Sequence, residues 1–172
     1  ENVSDREPKT WVFLLIGALK GDKTELVVQK ATELGVSRIG VFSSRYCSAY
    51  MNENKLERLN RVAREAAKQC LRASVPRVEY YETLEEALRA GSECVTRLFA
   101  CEFLDETEKD LIDTGATVCA VVGSEGGVAE EEYALAQRLG YCGVSLGKRI
   151  LRAETAAIAL LSVVMHEAGE LG

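Results

Sequence analysis

Two short stretches in the last third of the chain carry residues able to do chemistry. Gly123-Ser124-Glu125-Gly126-Gly127 sets three glycines around a hydroxyl and a carboxylate, and Leu146-Gly147-Lys148-Arg149-Ile150-Leu151-Arg152-Ala153-Glu154-Thr155-Ala156 follows about twenty residues later. Glycines let the backbone approach a ligand closely and take φ > 0, and Gly147 offers the second stretch the same freedom. Taken alone, the G-x-E-G-G turn fits a structural role as well as a binding one. Beside Arg149, Arg152, Glu154 and Thr155 it points to a pocket for something polar, because such groups are costly at an apolar strand end unless they have a partner there. Several familiar sites are a poor match. The turn lacks the lysine and Ser/Thr of a P-loop and comes too late for a dinucleotide fingerprint. No G-x-S-x-G elbow is present, and His166, the sole histidine, gives little basis for a hydrolase triad or for a zinc or iron site.

Both stretches follow short β-branched runs, at 116–122 and 143–146, and both lead into helix-like segments. They therefore belong at the carboxyl ends of strands in an α/β sheet, where such folds bind ligands. Upstream, the apolar run at 11–18 reads as a central strand buried on both faces. Asp22 to Glu25 has capping-box spacing for a helix ending at Gly35. Strand 39–42, a polar loop at 43–48, a long helix from Asn54 to about Ser74, strand 78–81, a helix opened by Thr83, and strand 97–103 come next. An acidic stretch at 102–113 precedes the run at 116–122. A helix then begins at the three glutamates 130–132, which suit its positive end, and stops at Gly140. Alternation of strand and helix predicts a mostly parallel sheet with helices on both faces. The last helix, about 153–168, is apolar nearly all round, so it is either threaded into the core or covered by a second subunit, and a homodimer is the preferred explanation.

At 172 residues the chain suits one domain, residues 11–172, preceded by a linker or leader at 1–10. With 47% apolar and 28% charged residues it has the composition of a folded domain. Its longest apolar run is too short to span a bilayer and no leader peptide opens it, which places it in the cytoplasm without a membrane partner. The first residue is glutamate, so the chain is expected to be part of something longer. Six cysteines without a C-x-x-C pair read as reduced thiols. A net charge of −6 argues against gripping nucleic acid over the whole surface. The helix from Asn54, however, concentrates Arg61, Arg64, Lys68 and Arg72 on one side, which fits either a solvated face or a phosphate track.

The glycine turn, the 146–156 stretch, and two further blocks, Lys30-Ala31-Thr32-Glu33-Leu34-Gly35-Val36 and Glu65-Ala66-Ala67-Lys68-Gln69-Cys70-Leu71-Arg72, together resemble the bacterial 16S ribosomal RNA (uracil-N3) methyltransferases, the RsmE family of the SPOUT superfamily. The four blocks occur in the family's order along the whole chain. The resemblance implies a carboxyl-terminal trefoil knot, S-adenosylmethionine as cofactor, no metal, a homodimer, and ribosomal RNA or the small ribosomal subunit as partner. It also implies an amino-terminal RNA-binding barrel, of which residues 1–10 would be the linker. The cofactor pocket would use Val122, Gly123, Glu125, Gly126, Gly127, Leu146, Gly147, Ile150, Leu151 and Thr155, although the leucines and isoleucine also suit core packing, and Thr155 and Glu154 also suit a helix cap. Glu125 is the candidate base and Arg152 the candidate stabiliser of negative charge on the uracil carbonyls, unless both serve as structural braces. Arg45, Lys68, Gln69 and Arg72 are candidates for the RNA side. Ser124 stands where the family usually has proline, which leaves the turn slightly less rigid. The alternative class is a non-catalytic RNA-binding or ribosome-assembly module of the same fold.

Overall fold

The computed structural model describes residues 3–102, 104 and 117–172, so most of the acidic stretch lies outside the described residues. Strands β1 (Val12–Gly17), β2 (Arg38–Phe42), β3 (Arg77–Tyr81), β4 (Thr96–Ala100), β5 (Val118–Val122) and β6 (Cys142–Val144) and helices α1 (Lys23–Glu33), α2 (Glu53–Gln69), α3 (Leu84–Gly91), α4 (Glu130–Arg138) and α5 (Ala153–Glu167) form the frame of the described residues, most of the β4–β5 connection lying outside them. The strands form one sheet in the order β3-β2-β1-β5-β4-β6, and all its pairings are parallel.

The central position of β1 explains its continuous apolar sequence: every residue from Val12 to Gly17 is buried. Alternate residues serve opposite faces. Leu14 and Ile16 pack with α1, α2 and α5, whereas Phe13 and Leu15 pack with α3 and α4. From β1 the chain steps outward through β2 to β3 under α1 and α2, then returns under α3 to β4 on the other side of β5. Consequently β1 and β5 are neighbours whose following segments depart in opposite directions. That makes the gap between their carboxyl ends a switch point, the expected position for a ligand crevice.

Three terminal signals differ from expectation. Asp22 makes no side-chain cap at α1; Thr24 instead binds both the amide and the carbonyl of Leu19, through its Oγ1 at 3.0 and 3.3 Å. Glu25 is drawn to Arg58 of α2, 2.6 Å away, rather than back to the helix start. Helix α2 stops at Gln69, before Val75-Pro76 is reached. Its end is a Schellman turn in which Arg72 N–H bonds to Ala67 O and Leu71 N–H to Lys68 O, with Leu71 at φ 61° where glycine is usual. This unfavourable backbone is held by Arg72, whose side chain is 5% exposed and donates to the carbonyls of Thr32 and Val36 at the end of α1. The knot implied by the resemblance is a property of the whole chain path, and its course between Leu104 and Thr117 lies outside the described residues.

Residues 1–10 are expected to be a leader; from Glu7 onward they are built into the domain. The Glu7 carboxylate accepts hydrogen bonds from the Arg72 guanidinium, the amides of Ala73 and Ser74, and Ser74 Oγ. Glu170, beyond α5, accepts from the amides of Lys9 and Thr10 through one oxygen. Both contacts lie at the amino edge of the sheet, tying the two ends of the chain together there. In α5, Ala153, Ala157, Leu160, Leu161, Val164 and Met165 are buried while Ile158 and Ala159 are half-buried and Val163 is exposed. Its outer face is thus apolar as well. Among the described residues no helix is long and apolar enough to cross a membrane.

Candidate active site

The glycine turn begins where β5 leaves the core. Ser124 and Gly127 bridge each other, Gly127 N–H bonding to Ser124 O at 3.0 Å, and Gly127 takes φ 76°. The other glycines allow close packing. A Cβ on Gly126 would run into the carbonyl of Tyr46, and one on Gly17, at the end of β1, would come within 2.5 Å of Ser124 N. Close packing thus wedges the turn between β1 and the loop after β2, which explains its composition independently of any ligand.

Glu125 projects from this turn across the switch point. Its Oε1 accepts the Lys20 amide at 2.9 Å and lies 3.4 Å from Lys23 Nζ. Partial burial alone would raise its pKa, but the Lys20 amide, its own amide and the Lys23 ammonium outweigh that and hold the carboxyl below its ordinary value. A carboxylate stabilised as an anion is a weak proton acceptor. Glu125 thus braces the turn against the β1–α1 loop while also lining the cavity that the two loops share.

The second loop starts at the end of β6 and reaches α5. Gly147 at φ 98° reverses the chain, and Lys148, Arg149 and Ile150 stand in solvent, the last 87% exposed. Arg152 occupies the N-cap of α5; its side chain caps nothing and has no ion pair or hydrogen bond among the described residues. In the first turn of the helix, Glu154 Oε2 is buried without a hydrogen-bond partner, as is the Oγ of Ser124. Glu154 therefore does not act as a helix cap.

The two loops share one cavity of about 630 Å³, as their placement at strand ends predicts. Val122, Gly123, Glu125, Gly126, Gly127, Leu146, Gly147, Ile150, Leu151 and Arg152 all line it, with Glu154 among them. Thr155 is not among the lining residues and lies on the exposed side of α5. Sequence reasoning missed Lys23, Tyr46, Phe99, Tyr133 and Val144. Phe99 and Val144 lie at the carboxyl ends of β4 and β6, and naming them requires knowing that these strands neighbour β5. Volume, apolar walls from Val122, Leu146, Leu151 and Phe99, and two buried polar oxygens lacking partners together fit a cofactor of nucleoside size with hydrogen-bond donors.

The candidate RNA residues divide between the two ends of the sheet. Arg45 is at the cavity end: its amide donates to Glu132 Oε2, whose other oxygen accepts the Ala129 amide, so Glu132 ties the β2–α2 loop to the start of α4. Its guanidinium makes a surface pair with Glu131. Lys68 and Gln69 are exposed at the far end of α2, which has 17 residues and so extends about 25 Å. Arg72 is at that same amino edge with its guanidinium committed to Glu7 and two carbonyls, so the structure gives it a clasp role in place of the expected RNA contact. No group of three or more His, Cys, Asp or Glu able to hold a metal ion occurs among the described residues.

Comparison with known proteins supplies the family. Residues 6–165 match the model of the RNA methyltransferase domain. The chain is 32% identical to the ribosomal RNA small subunit methyltransferase E of Mesomycoplasma hyopneumoniae over 92% of its own length and 70% of that protein, and 32% identical to the Bacillus subtilis enzyme of the same name over 95% and 68%. In structure it is similar to ribosomal RNA small subunit methyltransferase E of Neisseria gonorrhoeae bound to S-adenosylmethionine, with TM-score 0.86 and 29% identity over 96% of this chain and 70% of that one. A Legionella pneumophila methyltransferase, also with bound S-adenosylmethionine, gives TM-score 0.87 at 30% identity over 94% and 68%. The Aquifex aeolicus TrmH/SpoU enzyme, at 15% identity and TM-score 0.61, shares the fold. An all-parallel α/β sheet with its cavity at the carboxyl ends of β4, β5 and β6, together with these relatives, shows that the chain belongs to the RsmE family of RNA methyltransferases within the SPOUT fold.

Proposed function

We propose that this chain is an S-adenosylmethionine-dependent methyltransferase acting on N3 of a uridine in small-subunit ribosomal RNA. The observation that carries the reading is the cavity of about 630 Å³ at the carboxyl ends of the strands, walled by the glycine turn and by Val122, Leu146 and Leu151, with Arg152 and Glu154 in its lining. When bound, the cofactor supplies an electrophilic methyl group on a sulfonium. The residues of the chain do the rest. Val122, Leu146 and Leu151 exclude water around an adenosyl group, and the turn 123–127, braced by Glu125, fixes the opposite wall. Arg152, at the cavity and without a counter-ion among the described residues, is placed to stabilise the negative charge that spreads to the uracil carbonyls as N3 loses its proton. N3 carries that proton and normally pairs in a duplex, so the base must leave its helix to enter.

A homodimer and a cytoplasmic location belong to the same reading. The apolar outer face of α5, with Val163 49% exposed, supports the first, and a ribosomal substrate supports the second.

The test is calorimetric titration with S-adenosylmethionine, followed by nucleoside mass spectrometry of small- and large-subunit RNA after incubation with enzyme and cofactor. Saturable binding and 3-methyluridine in small-subunit RNA alone are expected. Methylation of another position would overturn the N3 assignment, and RNA retention by a folded protein that binds no cofactor would replace the enzyme with an RNA-binding module.

A further inference from the structure

The β2–α2 loop, residues 43–52, has a pattern that the cavity does not explain. From Tyr46 to Asn52 exposure alternates: Cys47, Ala49 and Met51 are half-buried and pack on the core below α2, while Tyr46, Ser48, Tyr50 and Asn52 face outward. Two tyrosine rings therefore stand on the same outer side of the chain, 50% and 71% exposed, at a separation that an extended backbone makes about 13 Å. Each ring has its own cation, with Arg45 Cζ 5.8 Å from the Tyr46 centroid and Lys55 Nζ 5.6 Å from that of Tyr50. The loop is also firmly placed. Cys47 Sγ donates to Ala18 O at 3.2 Å, Asn52 caps α2, and the Tyr46 backbone rests on Gly126.

We propose that this loop is a contact surface for single-stranded RNA, in which the rings of Tyr46 and Tyr50 stack on bases of the strand whose target nucleotide enters the cavity. The inference rests on the RNA methyltransferase reading and names its substrate as an unpaired strand. Exposed aromatic plates interleaved with cations suit unpaired bases and their phosphates. Tyr46 also lines the cavity, whose rim carries Arg149 and Arg152, so the aromatic track runs to the place where a base would enter. In a protein with net charge −6, Lys55, Arg149, Arg152 and Arg45, the last shared with Glu131, put positive charge along this path.

Fluorescence anisotropy would measure binding of a labelled oligouridine of about twelve nucleotides, and of a duplex of equal length, to wild type, Tyr46→Ala, Tyr50→Ala and Tyr50→Phe, with circular dichroism confirming each fold. Each alanine variant is expected to lose about 5- to 150-fold in single-strand affinity, while Tyr50→Phe and all duplex affinities stay within about twofold. The proposal is overturned if wild type does not bind the oligouridine, if the folded alanine variants bind it as wild type does, if duplex affinity falls equally, or if phenylalanine is as damaging as alanine. Cofactor titration of the wild type, run in parallel, keeps the two readings apart. Cofactor binding with unchanged alanine variants sinks the loop surface alone, whereas stacking losses without cofactor binding sink the enzyme alone.

Discussion

Replacing Glu7 by glutamine tests whether the Arg72 cluster is a structural clasp. Glu7 is 24% exposed in its side chain and receives the Arg72 guanidinium at 3.0 Å, two amides at 2.9 and 3.1 Å, and Ser74 Oγ at 2.7 Å. Burial works against its charge, but these donors prevail and lower its pKa from 4.5 to about 2. At about 1.4 kcal/mol per pH unit, that difference between folded and unfolded chains is worth about 3 kcal/mol. The folded pKa is the depressed one, so the contribution is complete above pH 4.5 and is lost as the pH falls toward 2. Glutamine keeps one acceptor but leaves Arg72 buried without its anion, and a loss of about 2–3 kcal/mol at neutral pH is expected. For a domain of this size that lowers Tm by about 5–10 °C. Denaturant unfolding of wild type and variant between pH 7 and pH 2 is the assay. Equal stability at pH 7, or a gap that fails to narrow below pH 4.5, would refute the clasp. Arg72→Gln should lose stability comparably and leave the RNA affinity of the folded fraction unchanged.

Glu154→Gln should weaken S-adenosylmethionine binding about tenfold in calorimetry while changing the stability of the unliganded protein by less than about 1 kcal/mol, since no hydrogen bond of Glu154 Oε2 is lost. Gly126→Ala puts a methyl against the Tyr46 carbonyl and should cost about 1–3 kcal/mol in denaturant unfolding together with cofactor affinity; Gly127→Ala, with open space but φ 76°, should cost only the backbone strain of about 1 kcal/mol. Leu71→Gly should raise Tm by about 2–4 °C, because φ 61° is unfavourable for leucine and the side chain is 53% exposed; no change or a fall would show that the Schellman turn holds no such strain.

The sheet and its helices were legible because the signals that define them are local. Six buried residues in a row at β1, β-branched runs at β5 and β6, and Thr83 before α3 each specify an element from its own composition. The end of α2 was not legible. Its stop signal is a leucine in a left-handed conformation held by Arg72 against the end of α1, and nothing nearby in sequence announces that contact. The site shows the same division. Both glycine-bearing loops are legible from their composition, but the tie of Glu125 to Lys20 and Lys23, about a hundred residues away, is not, because it depends on β1 and β5 being neighbours. Thr155 sits on the exposed side of α5, whereas Ala153, Glu154 and Ala156 around it line the cavity, and which side of the helix turns inward is set by its packing on the sheet.

Polar groups are treated differently at the two edges of the sheet. At the amino edge the charged residues close on one another: Glu7 takes every donor of its turn, Arg72 fills carbonyls of α1, and Glu170 holds the amides of Lys9 and Thr10. At the carboxyl edge Ser44, Ser124 and Glu154 each keep a buried oxygen without a partner, and Arg152 has no counter-ion among the described residues. The exception is Arg97 near the start of β4, whose Nε lacks a partner while Nη1 serves the carbonyls of Ser92 and Leu139. Leaving several polar groups unmatched lowers folding stability, and it persists where a ligand completes them. The same argument separates the cations of α2: those at its far end stabilise the fold or face solvent, while those at its near end, a helix length of about 25 Å away with the tyrosines beside them, are the ones an RNA strand reaching the cavity would meet.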